Sequence, residues 1–502
     1  MFKRILIANR GEIAVRVIRA CRELGIETVA VFSEADRTAL HVKEADYAYP
    51  IGPAPARESY LVIDNILGAA RQSAADAIHP GYGFLAENPV FARRCAAEGI
   101  VFIGPSAEAM EQMGDKVSAR TLMQKAGVSV VPGSGGTLDT AEEVVDVCNR
   151  IGYPVMLKAA AGGGGKGMRL VHKADELQSA LRAVRSEAKS SFGDDRMYVE
   201  KYVTKPRHVE VQVMADQFGN TVHLFERECS IQRRHQKVIE ESPSPAINDR
   251  IRAEMGQVAV QAAKAVNYVG AGTIEFLVDA DRNFYFLEMN TRIQVEHTVT
   301  EMITGVDLVK TQIEVAAGKP LPFRQQDLVA RGHAIECRVY AEDPYNNFFP
   351  SPGRIAFLQV PGGIGVRDDS GVYQGFEVTV YYDPIISKLI VWGNTRDEAI
   401  RRMRRALQEY SIHGLVTNLA FHRWVLEHPR FLAGDFDTNF IAQEFHGFKA
   451  SGEPARRDAA LTAAALAQRD REVERATRLA ATTVPGRRSV WKEAARRGGL
   501  RN

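Results

Sequence analysis

One segment, Thr273–Asn290, constrains the fold more than any other part of the chain. Two runs rich in β-branched and aromatic residues flank a short polar stretch of turn-forming composition. A turn centred between Asp281 and Arg282 sets apolar residues opposite apolar residues, for example Phe276 opposite Leu287. The segment is therefore predicted to form a β-hairpin.

The same register places two carboxylates, Glu275 and Glu288, directly opposite each other. Like charges in that position destabilise a sheet unless something binds both of them. Mg²⁺ would do so, because it takes one or two carboxylates and leaves positions for phosphates and water. Asn290 has the side-chain parity of Glu288, so its amide oxygen would point the same way. The alternative is a hairpin edge with both carboxylates in solvent, which gives no reason for the polar series that follows.

Polar residues continue at every second position beyond the hairpin. Glu288, Asn290, Arg292, Gln294 and Glu296 would share one face of an extended chain and span roughly 26 Å. Because one small site cannot span that distance, the chain is predicted to bend after Asn290. A fixed guanidinium and a free carboxylate beyond a cation suit a small anion that must also lose a proton.

A glycine-rich segment, Ala161–Met168, follows a predicted strand that ends at Lys158. Glycines let backbone N–H groups wrap phosphate oxygens, and lysines add point charge. The segment contains no GxxxxGK[ST] motif, and it is not a GxGxxG fingerprint on a first strand–helix turn. A flexible surface loop is the alternative, but Lys158 and the upstream Lys116 favour phosphate contact.

The segment Ser230–Lys237 is dense in hydrogen-bond donors. Gln232, His235 and Lys237 could line a polyanion site, but an exposed basic loop would have the same composition. The sequence alone leaves both interpretations open. Glu200–Val203 ends a predicted strand and could present backbone groups to a base.

Three regions and a tail follow from the order of the predicted elements. Residues 1–114 alternate short apolar runs with helical patterns, which favours a parallel sheet with crossover helices and an α/β fold. Residues 115–330 contain the glycine-rich segment and the hairpin. Residues 331–447 combine a helix with strands, one of them predicted over 352–360. Residues 448–502 form an Ala/Arg-rich tail.

Charge and cysteine usage exclude several classes of protein. Lys+Arg is 64 against Asp+Glu 62, so the chain has no large net positive charge that would favour binding to nucleic acid. The tail is predicted to hold a solvated helix over 459–480, with a basic docking arm as the alternative. The five cysteines form no CxxC pair, which disfavours disulfides and zinc. No membrane span or signal peptide is evident, so a cytoplasmic location is expected.

Five long motifs, in this order along the chain, carry a resemblance to one family. They are HPGYGFLAEN (79–88), KAAAGGGGKGM (158–168), ERECSIQRRHQK (226–237), EMNTRIQVEH (288–297) and RGHAIECRVYAEDP (331–344). Together they resemble biotin carboxylase, the ATP-grasp subunit or domain of acetyl-CoA, propionyl-CoA and pyruvate carboxylases. The resemblance implies a Rossmann-like N-terminal domain (1–114), an ATP-grasp domain (115–330) with a mobile glycine-loop lid at about 132–203, and a C-terminal α+β domain (331–447).

The resemblance also implies a role for each residue that matches the motifs. ATP would be bound by Lys116, Lys158, Gly163, Gly164, Gly165, Met168, Glu200, Lys201, Val203, His208, Gln232, His235 and Leu277. Mg²⁺ or Mn²⁺ would be held by Glu275, Glu288 and Asn290. Bicarbonate would be bound by Arg292, Gln294 and the backbone of Val295, and biotin by Arg338 and Tyr82. The catalytic residues would be Glu296, Arg292, Lys237 and Arg338.

The implied reaction carboxylates biotin at the expense of ATP. Glu296 would deprotonate bicarbonate while Arg292 holds it in line with the γ-phosphate, and carboxyphosphate would form. The CO₂ released would be attacked by a biotin enolate that is paired with Arg338. No Met-Lys-Met acceptor motif occurs in the sequence, so biotin is expected on a separate biotin carboxyl carrier protein, with a separate carboxyltransferase subunit. A homodimer is implied as well, and neither nucleic acid nor membrane is expected as a partner.

Other classes share parts of these patterns. Another ATP-grasp ligase, joining carboxylates to amines, would not need Arg292, Gln294 and Glu296 together with Arg338. A silent ATP-binding scaffold subunit is disfavoured by the intact Lys116, Glu288, Glu296 and Arg338. A nicotinamide-dependent dehydrogenase would fit only the N-terminal strand–helix pattern, and its fingerprint is absent.

Overall fold

The computed structural model describes residues 1–159, 167–192, 195–448 and 468. Met1–His446 form one unit and residues 447–502 a second, and all elements below belong to the first. The helix predicted over 459–480 lies outside the described residues, except for Gln468, which is helical. Across the described ranges, no helix is long and apolar enough to cross a membrane.

The N-terminal part of the chain alternates strands and helices. Its elements are β1 (Arg4–Ile7), α1 (Gly11–Glu23), β2 (Glu27–Ser33), α2 (Leu40–Glu44), β3 (Tyr47–Gly52), α3 (Ile63–Ser73), β4 (Ala77–His79), α4 (Pro89–Ala97), β5 (Val101–Phe102) and α5 (Ala107–Gly114). All neighbours in the order β3-β2-β1-β4-β5 pair in parallel. Strands β1 and β2 are buried almost throughout, as a parallel sheet between helix layers requires. This sheet agrees with the parallel arrangement predicted from the sequence.

A small antiparallel sheet follows, in the order β7-β6-β8. The elements of this part are α6 (Lys116–Lys125), α7 (Ala141–Ile151), β6 (Val155–Ala159), β7 (Met168–Val171), α8 (Leu177–Phe192) and β8 (Met197–Lys201). The small sheet has its own hydrophobic core, which includes Val144, Leu157, Val184 and Val199. Its strands alternate buried and half-buried residues, so one face packs on helices while the other carries Lys158.

The next part contains five long strands and three helices. They are β9 (Arg207–Ala215), β10 (Thr221–Arg233), β11 (Gln236–Ser242), α9 (Asp249–Ala265), β12 (Gly270–Val278), β13 (Phe284–Asn290), α10 (His297–Thr304) and α11 (Leu308–Ala316). The predicted hairpin is formed by β12 and β13.

The C-terminal part mixes short and long strands with helices. Its elements are β14 (His333–Tyr340), β15 (Glu342–Asp343), β16 (Phe349–Pro350), β17 (Gly353–Arg354), β18 (Phe357–Gln359), β19 (Val366–Ser370), β20 (Glu377–Val378), β21 (Ile385–Gly393), α12 (Arg396–Glu409), β22 (Ser411–His413), α13 (Leu419–Glu427), α14 (Pro429–Leu432) and α15 (Phe440–Glu444).

One eight-stranded antiparallel sheet joins the last two parts, in the order β13-β12-β9-β10-β11-β14-β21-β19. Strand β11 pairs with β14, for example Glu240 with Glu336, on opposite sides of the boundary predicted at 330/331. The hydrogen bonds of this sheet therefore continue from the predicted ATP-grasp region into the predicted C-terminal region. Residues that are far apart in sequence are held on one rigid surface.

The hairpin pairs Glu275 with Glu288, as the sequence register predicts. The predicted pairing of Phe276 with Leu287 is wrong, because a bulge shifts the register and Phe276 pairs with Phe286. The turn explains the shift: Arg282 adopts a left-handed conformation with φ 65°, and Asp279 N–H donates to the Asn283 carbonyl. A turn with a left-handed third residue moves the centre of the loop by half a residue.

The single strand predicted over 352–360 is also wrong. The chain forms two short strands there, β17 and β18, and each pairs with a different partner. Between them, Ile355 N–H bonds to the Phe376 carbonyl and Ala356 N–H to the His413 carbonyl. The chain thus changes partner strand at the position where the apolar run looked continuous.

Candidate active site

Most of the predicted site residues line one cleft, of about 920 Å³, between the small sheet and the large sheet. The predicted residues in its lining are Lys158, Met168, Glu200, Lys201, Val203, His208, Gln232, His235, Lys237, Glu275, Leu277, Glu288, Asn290, Arg292, Gln294, Val295, Glu296 and Arg338. Strands β9 to β14 supply much of the floor, because alternate residues of neighbouring strands face the same side of a sheet.

The remaining predicted residues are placed differently. The side chain of Lys116, at the start of α6, and the three glycines Gly163, Gly164 and Gly165 lie outside the described residues. Tyr82 is not part of the cleft lining. Tyr82 is half-buried, and its ring centroid lies 5.7 Å from Lys388 Nζ.

The centre of the cleft is a lysine that contacts three carboxylates. Lys237 Nζ donates to Glu275 Oε1 at 2.8 Å, to Glu296 Oε1 at 2.7 Å and also to Glu210. Burial alone would lower the pKa of Lys237, but the three glutamates outweigh it and raise that pKa well above its usual value. The ammonium therefore stays charged and ties three strands and the loop beyond β13 together.

Glu296 lies between two cations. Its Oε2 accepts a hydrogen bond from Arg338 Nη2 at 2.9 Å, and its Oε1 accepts one from Lys237. Burial disfavours the ionised form, but Lys237, Arg338 and Arg227 hold the pKa of Glu296 well below its ordinary range. The side chain is thus an ionised carboxylate at the cleft surface, the protonation state that a general base requires.

Arg338 is held by a second acid behind it. Its Nε donates to Glu240 Oε1 at 2.6 Å, and Glu240 is fully buried. Burial raises the pKa of Glu240 to about 8, against the lowering effect of Arg338. Glu240 and Glu296 thus fix the guanidinium in one orientation.

The carboxylate pair of the hairpin has the chemistry of a metal site. Glu275 and Glu288 are register partners, Asn290 lies two residues further along β13, and all three line the cleft. Glu275 Oε1 accepts hydrogen bonds from Asn290 Nδ2 at 2.9 Å and Gln294 Nε2 at 2.8 Å. Two carboxylates and an amide oxygen are a donor set that fits Mg²⁺ or Mn²⁺; the Asn290 nitrogen faces Glu275 in this structure, so the amide would turn over to present its oxygen to a metal.

A second group of ligand atoms lies beside it. Within the described ranges, donor atoms of His208, Glu210 and Glu275 come within 4.8 Å of one another. Lys237 Nζ already contacts both carboxylates of that group. This second group therefore belongs to the charge cluster around Lys237.

Arg292 is positioned by a residue from the N-terminal part. Strand β13 ends at Asn290, where the predicted bend occurs, and Arg292 Nε then donates to Glu87 Oε2 at 2.8 Å. Arg292 Nη2 also donates to Asn290 Oδ1 at 2.9 Å. Glu87 lies in the 79–88 motif, so that motif supplies a partner that fixes the guanidinium.

The side of the cleft formed by the small sheet carries the predicted nucleotide residues. Glu200 pairs with Lys158 and with Arg120, so its carboxylate balances a predicted phosphate lysine. Lys201 Nζ donates to the Gly152 carbonyl at 3.0 Å, which takes the ammonium away from the cleft. Only the backbone and the stem of Lys201 remain available to a nucleotide base.

His208 on β9 and Gln232 on β10 line the cleft and contact each other. Nδ1 of His208 lies 3.0 Å from the Gln232 amide nitrogen, and its Nε2 lies 2.9 Å from Glu275 Oε2. Burial would lower the pKa of His208, but Glu275 reverses the direction and raises it. His235 sits in the two-residue turn between β10 and β11, where both residues have positive φ. The turn in the segment Ser230–Lys237 is thus exposed to solvent and also lines the cleft.

Sequence reasoning missed the buried residues beneath the cluster. Arg227 is fully buried, and its guanidinium donates to Glu210 Oε1 at 2.5 Å, Gln212 Oε1 at 2.6 Å and Gln294 Oε1 at 2.7 Å. A signal was present in β9, where His208, Glu210 and Gln212 alternate with valines. Polar residues at every second position of a strand indicate a polar face, and these three are all buried.

Comparisons with known proteins agree with this geometry. Family models match residues 1–110 as "Biotin carboxylase, N-terminal domain", 115–324 as "Carbamoyl-phosphate synthase L chain, ATP binding domain" and 336–443 as "Biotin carboxylase C-terminal domain". The chain is 56% identical over 442 residues to Biotin carboxylase 1 of Bacillus subtilis, covering 88% of this chain and 98% of that protein. It is 51% identical over 511 residues to the propionyl-CoA carboxylase alpha chain of Ruegeria pomeroyi, covering 97% and 74% respectively.

A solved structure extends the likeness to three dimensions. The biotin carboxylase domain dimer of the Hydrogenobacter thermophilus 2-oxoglutarate carboxylase, in complex with MgADP, ADP and bicarbonate, superposes with a TM-score of 0.82 at 49% identity. The match covers 88% of this chain and 97% of that one. Fold and cleft thus define an ATP-dependent ligase of the ATP-grasp type, and the predicted α/β fold class is confirmed. The chain belongs to the biotin carboxylase family.

Proposed function

We propose that this chain transfers a carboxyl group from bicarbonate to biotin on a separate carrier protein, with ATP as the energy source. The observation that carries the proposal is the grouping of an ionised Glu296, Lys237 and Arg338 beside Arg292 and the Glu275–Glu288 pair in one cleft. The Hydrogenobacter relative, whose structure is a complex with MgADP, ADP and bicarbonate, supports the same substrates here.

ATP would lie between the two sheets. Lys158 would meet its phosphates, while Met168, Leu277 and the backbone of Lys201 and Val203 would enclose the base. The other predicted nucleotide residues in the lining of the cleft are Glu200, His208, Gln232 and His235. Lys116 and Gly163, Gly164 and Gly165 are assigned to the phosphates by resemblance alone. Glu275, Glu288 and Asn290 would hold Mg²⁺ or Mn²⁺, which would neutralise charge on the transferring phosphoryl group.

Bicarbonate would be bound by Arg292, Gln294 and the backbone of Val295, next to Glu296. Glu296 accepts the bicarbonate proton, a bicarbonate oxygen attacks the γ-phosphorus, and the bond to ADP breaks. The products are carboxyphosphate and ADP, and carboxyphosphate then breaks down to CO₂ and phosphate. Because Lys237 and Arg338 pair with Glu296 in this structure, anionic substrates that draw these cations away would raise the pKa of Glu296 and strengthen it as a base.

Arg338 would act in the second half of the reaction. Phosphate takes the N1′ proton of biotin, the ureido oxygen becomes an oxyanion, and Arg338 stabilises it while the nitrogen attacks CO₂. Glu240 and Glu296 already fix the guanidinium in the cleft, so it needs little reorganisation to meet that charge. Tyr82 is placed near biotin by the resemblance alone, because it is not among the residues that line the cleft.

The partners belong to the proposal too. A biotin carboxyl carrier protein would bring biotin, a carboxyltransferase subunit would receive the carboxyl group, and the chain would work as a homodimer. The Ruegeria alignment extends over 97% of this chain, beyond the part that matches the Bacillus enzyme. That extra coverage favours a short acyl-CoA as the final acceptor, and co-purification of the transferase from native extract would test it.

The direct test of the function measures ADP release. With ATP, Mg²⁺ and bicarbonate, ADP release should depend on bicarbonate and increase when free biotin is added. Another ATP-grasp ligase would release ADP with a carboxylate and an amine, independently of bicarbonate. A rate of ADP release that does not depend on bicarbonate would contradict the proposal.

A further inference from the structure

The loop at Gln294–Glu296, which would hold bicarbonate, is held in place by two buried side chains. His297 Nδ1 lies 2.7 Å from the Gln294 carbonyl oxygen. Lys388 Nζ donates to the Val295 carbonyl oxygen at 3.0 Å. Both side chains are fully buried, and neither lines the cleft. Two successive carbonyls of the loop are therefore held by side chains that do not line the cleft.

The two contacts control the peptide planes on either side of Val295. The Gln294 carbonyl shares its peptide plane with the Val295 N–H, and the Val295 carbonyl shares its plane with the Glu296 N–H. Fixing a carbonyl therefore fixes the N–H on the opposite side of the same rigid plane. His297 therefore fixes the direction of the Val295 N–H. Lys388 fixes the peptide plane that carries the Glu296 N–H.

Lys388 is itself anchored by the N-terminal part of the chain. Its Nζ lies 3.1 Å from Glu12 Oε2, and Glu12 is buried in the first turn of α1. Among the described residues, neither Glu12 oxygen has a hydrogen-bond partner, so the ion pair is its compensating contact. The chain beside β19 approaches this turn closely, because a Cβ on Gly371 would lie only 2.6 Å from the Glu12 nitrogen.

Stability does not explain a buried Lys–Glu pair at this place. Taking both charges out of water costs about as much as their attraction returns, and apolar residues of similar size often replace such pairs without loss of stability. An apolar residue of similar size could not donate to the Val295 carbonyl, as Lys388 does. The pair therefore points to a positioning task.

We propose that Lys388, anchored by Glu12, is a positioning residue that fixes the Val295–Glu296 peptide so that the Glu296 carboxylate faces bicarbonate, while His297 holds the neighbouring peptide plane that carries the Val295 N–H. The inference rests on the proposed function, because it names a determinant of bicarbonate binding at that same site. Lys388 does not touch bicarbonate but acts through the loop.

The test compares three variants in the bicarbonate-dependent release of ADP from the full chain. Lys388→Met removes the donor, Glu12→Gln with Lys388→Met removes both charges together, and Lys319→Met breaks a surface pair with Glu314 as a control. The first two should raise the KM for bicarbonate by about tenfold or more, with the KM for ATP within about twofold of the unmodified chain. Lys319→Met should change neither KM.

The outcomes separate this inference from the proposed function. An unmodified chain without bicarbonate-dependent ADP release would refute the function and the inference with it. An active chain whose folded double variant keeps its KM for bicarbonate would overturn the inference alone. If both Lys388 variants failed to fold while Lys319→Met folded, the pair would be structural and the inference would be wrong.

Discussion

At the scale of single residues, ion pairs between oppositely charged side chains fix the positions of the residues in the cleft. Lys237 and Arg338 both pair with Glu296, and Arg227 joins Glu210 to Gln294 beneath them. The sequence motifs identified the residues of the surface layer because the chemistry requires those residue types. They did not identify Arg227, because a buried arginine is recognisable only once its partners from other strands are known.

Glu296→Gln should remove the base without removing the nucleotide site. The amide keeps the size of the side chain but cannot accept the bicarbonate proton, so ADP release with bicarbonate should fall by at least about 100-fold. Calorimetric affinity for ADP should stay within about threefold. Glu254→Gln, in an exposed pair with Arg250, is the matched control. Turnover equal to that of the unmodified chain would refute the assignment of the base.

Arg338→Met should separate the two halves of the reaction. Carboxylation of free biotin, measured with labelled bicarbonate, should fall by about 100-fold because the biotin oxyanion loses its cation. Bicarbonate-dependent cleavage of ATP without biotin should fall much less. Equal losses in the two assays would count against the role of Arg338 in stabilising biotin.

At the scale of elements, the hairpin shows what alternation can predict and what it cannot. The pairing of Glu275 with Glu288 followed from the sequence, since apolar and polar positions alternate on both strands. The bulge next to that pair did not follow, because it depends on the left-handed Arg282 in the turn. The two short strands at 353–359 were merged in the prediction for a similar reason: a change of partner strand leaves no mark in a local apolar pattern.

Glu288→Gln should weaken metal binding at this hairpin, and so raise its metal requirement, without unfolding it. One of the two facing carboxylates would become an amide, so the Mg²⁺ concentration for half-maximal ADP release should rise by about tenfold or more. Glu254→Gln should leave that concentration unchanged. A titration curve for Glu288→Gln that superimposes on the unmodified one would remove Glu288 from the metal site.

At the scale of the whole molecule, buried ion pairs connect strands across predicted boundaries. Glu241 on β11 accepts from His333 on β14 at 2.7 Å and from Arg396 on α12 at 2.7 Å. Despite burial, Arg396 and His333 lower the pKa of Glu241 to about 2. The parallel sheet and the general order of elements were predictable from periodicity. Contacts such as these were not, because their partners lie up to 155 positions apart.

Glu241→Gln should destabilise the fold at neutral pH. Because the pKa is about 2 in the folded chain against 4.5 for an ordinary glutamate, the stabilisation is complete above about pH 4.5. It is lost as the pH falls toward 2. Urea unfolding at pH 7 should show a loss of about 3 kcal/mol. The difference should shrink steadily below pH 4.5, and a loss of the same size at pH 3 and pH 7 would contradict the pairing.

The central claim is that this cleft activates bicarbonate by joining it to the γ-phosphate of ATP. If carboxyphosphate forms and then releases CO₂, the bridging oxygen that came from bicarbonate must remain with phosphate. Mass spectrometry of the phosphate formed from ¹⁸O-labelled bicarbonate, ATP, Mg²⁺ and biotin tests this directly. The account predicts one ¹⁸O atom in each phosphate produced; unlabelled phosphate, formed together with ADP, would contradict it.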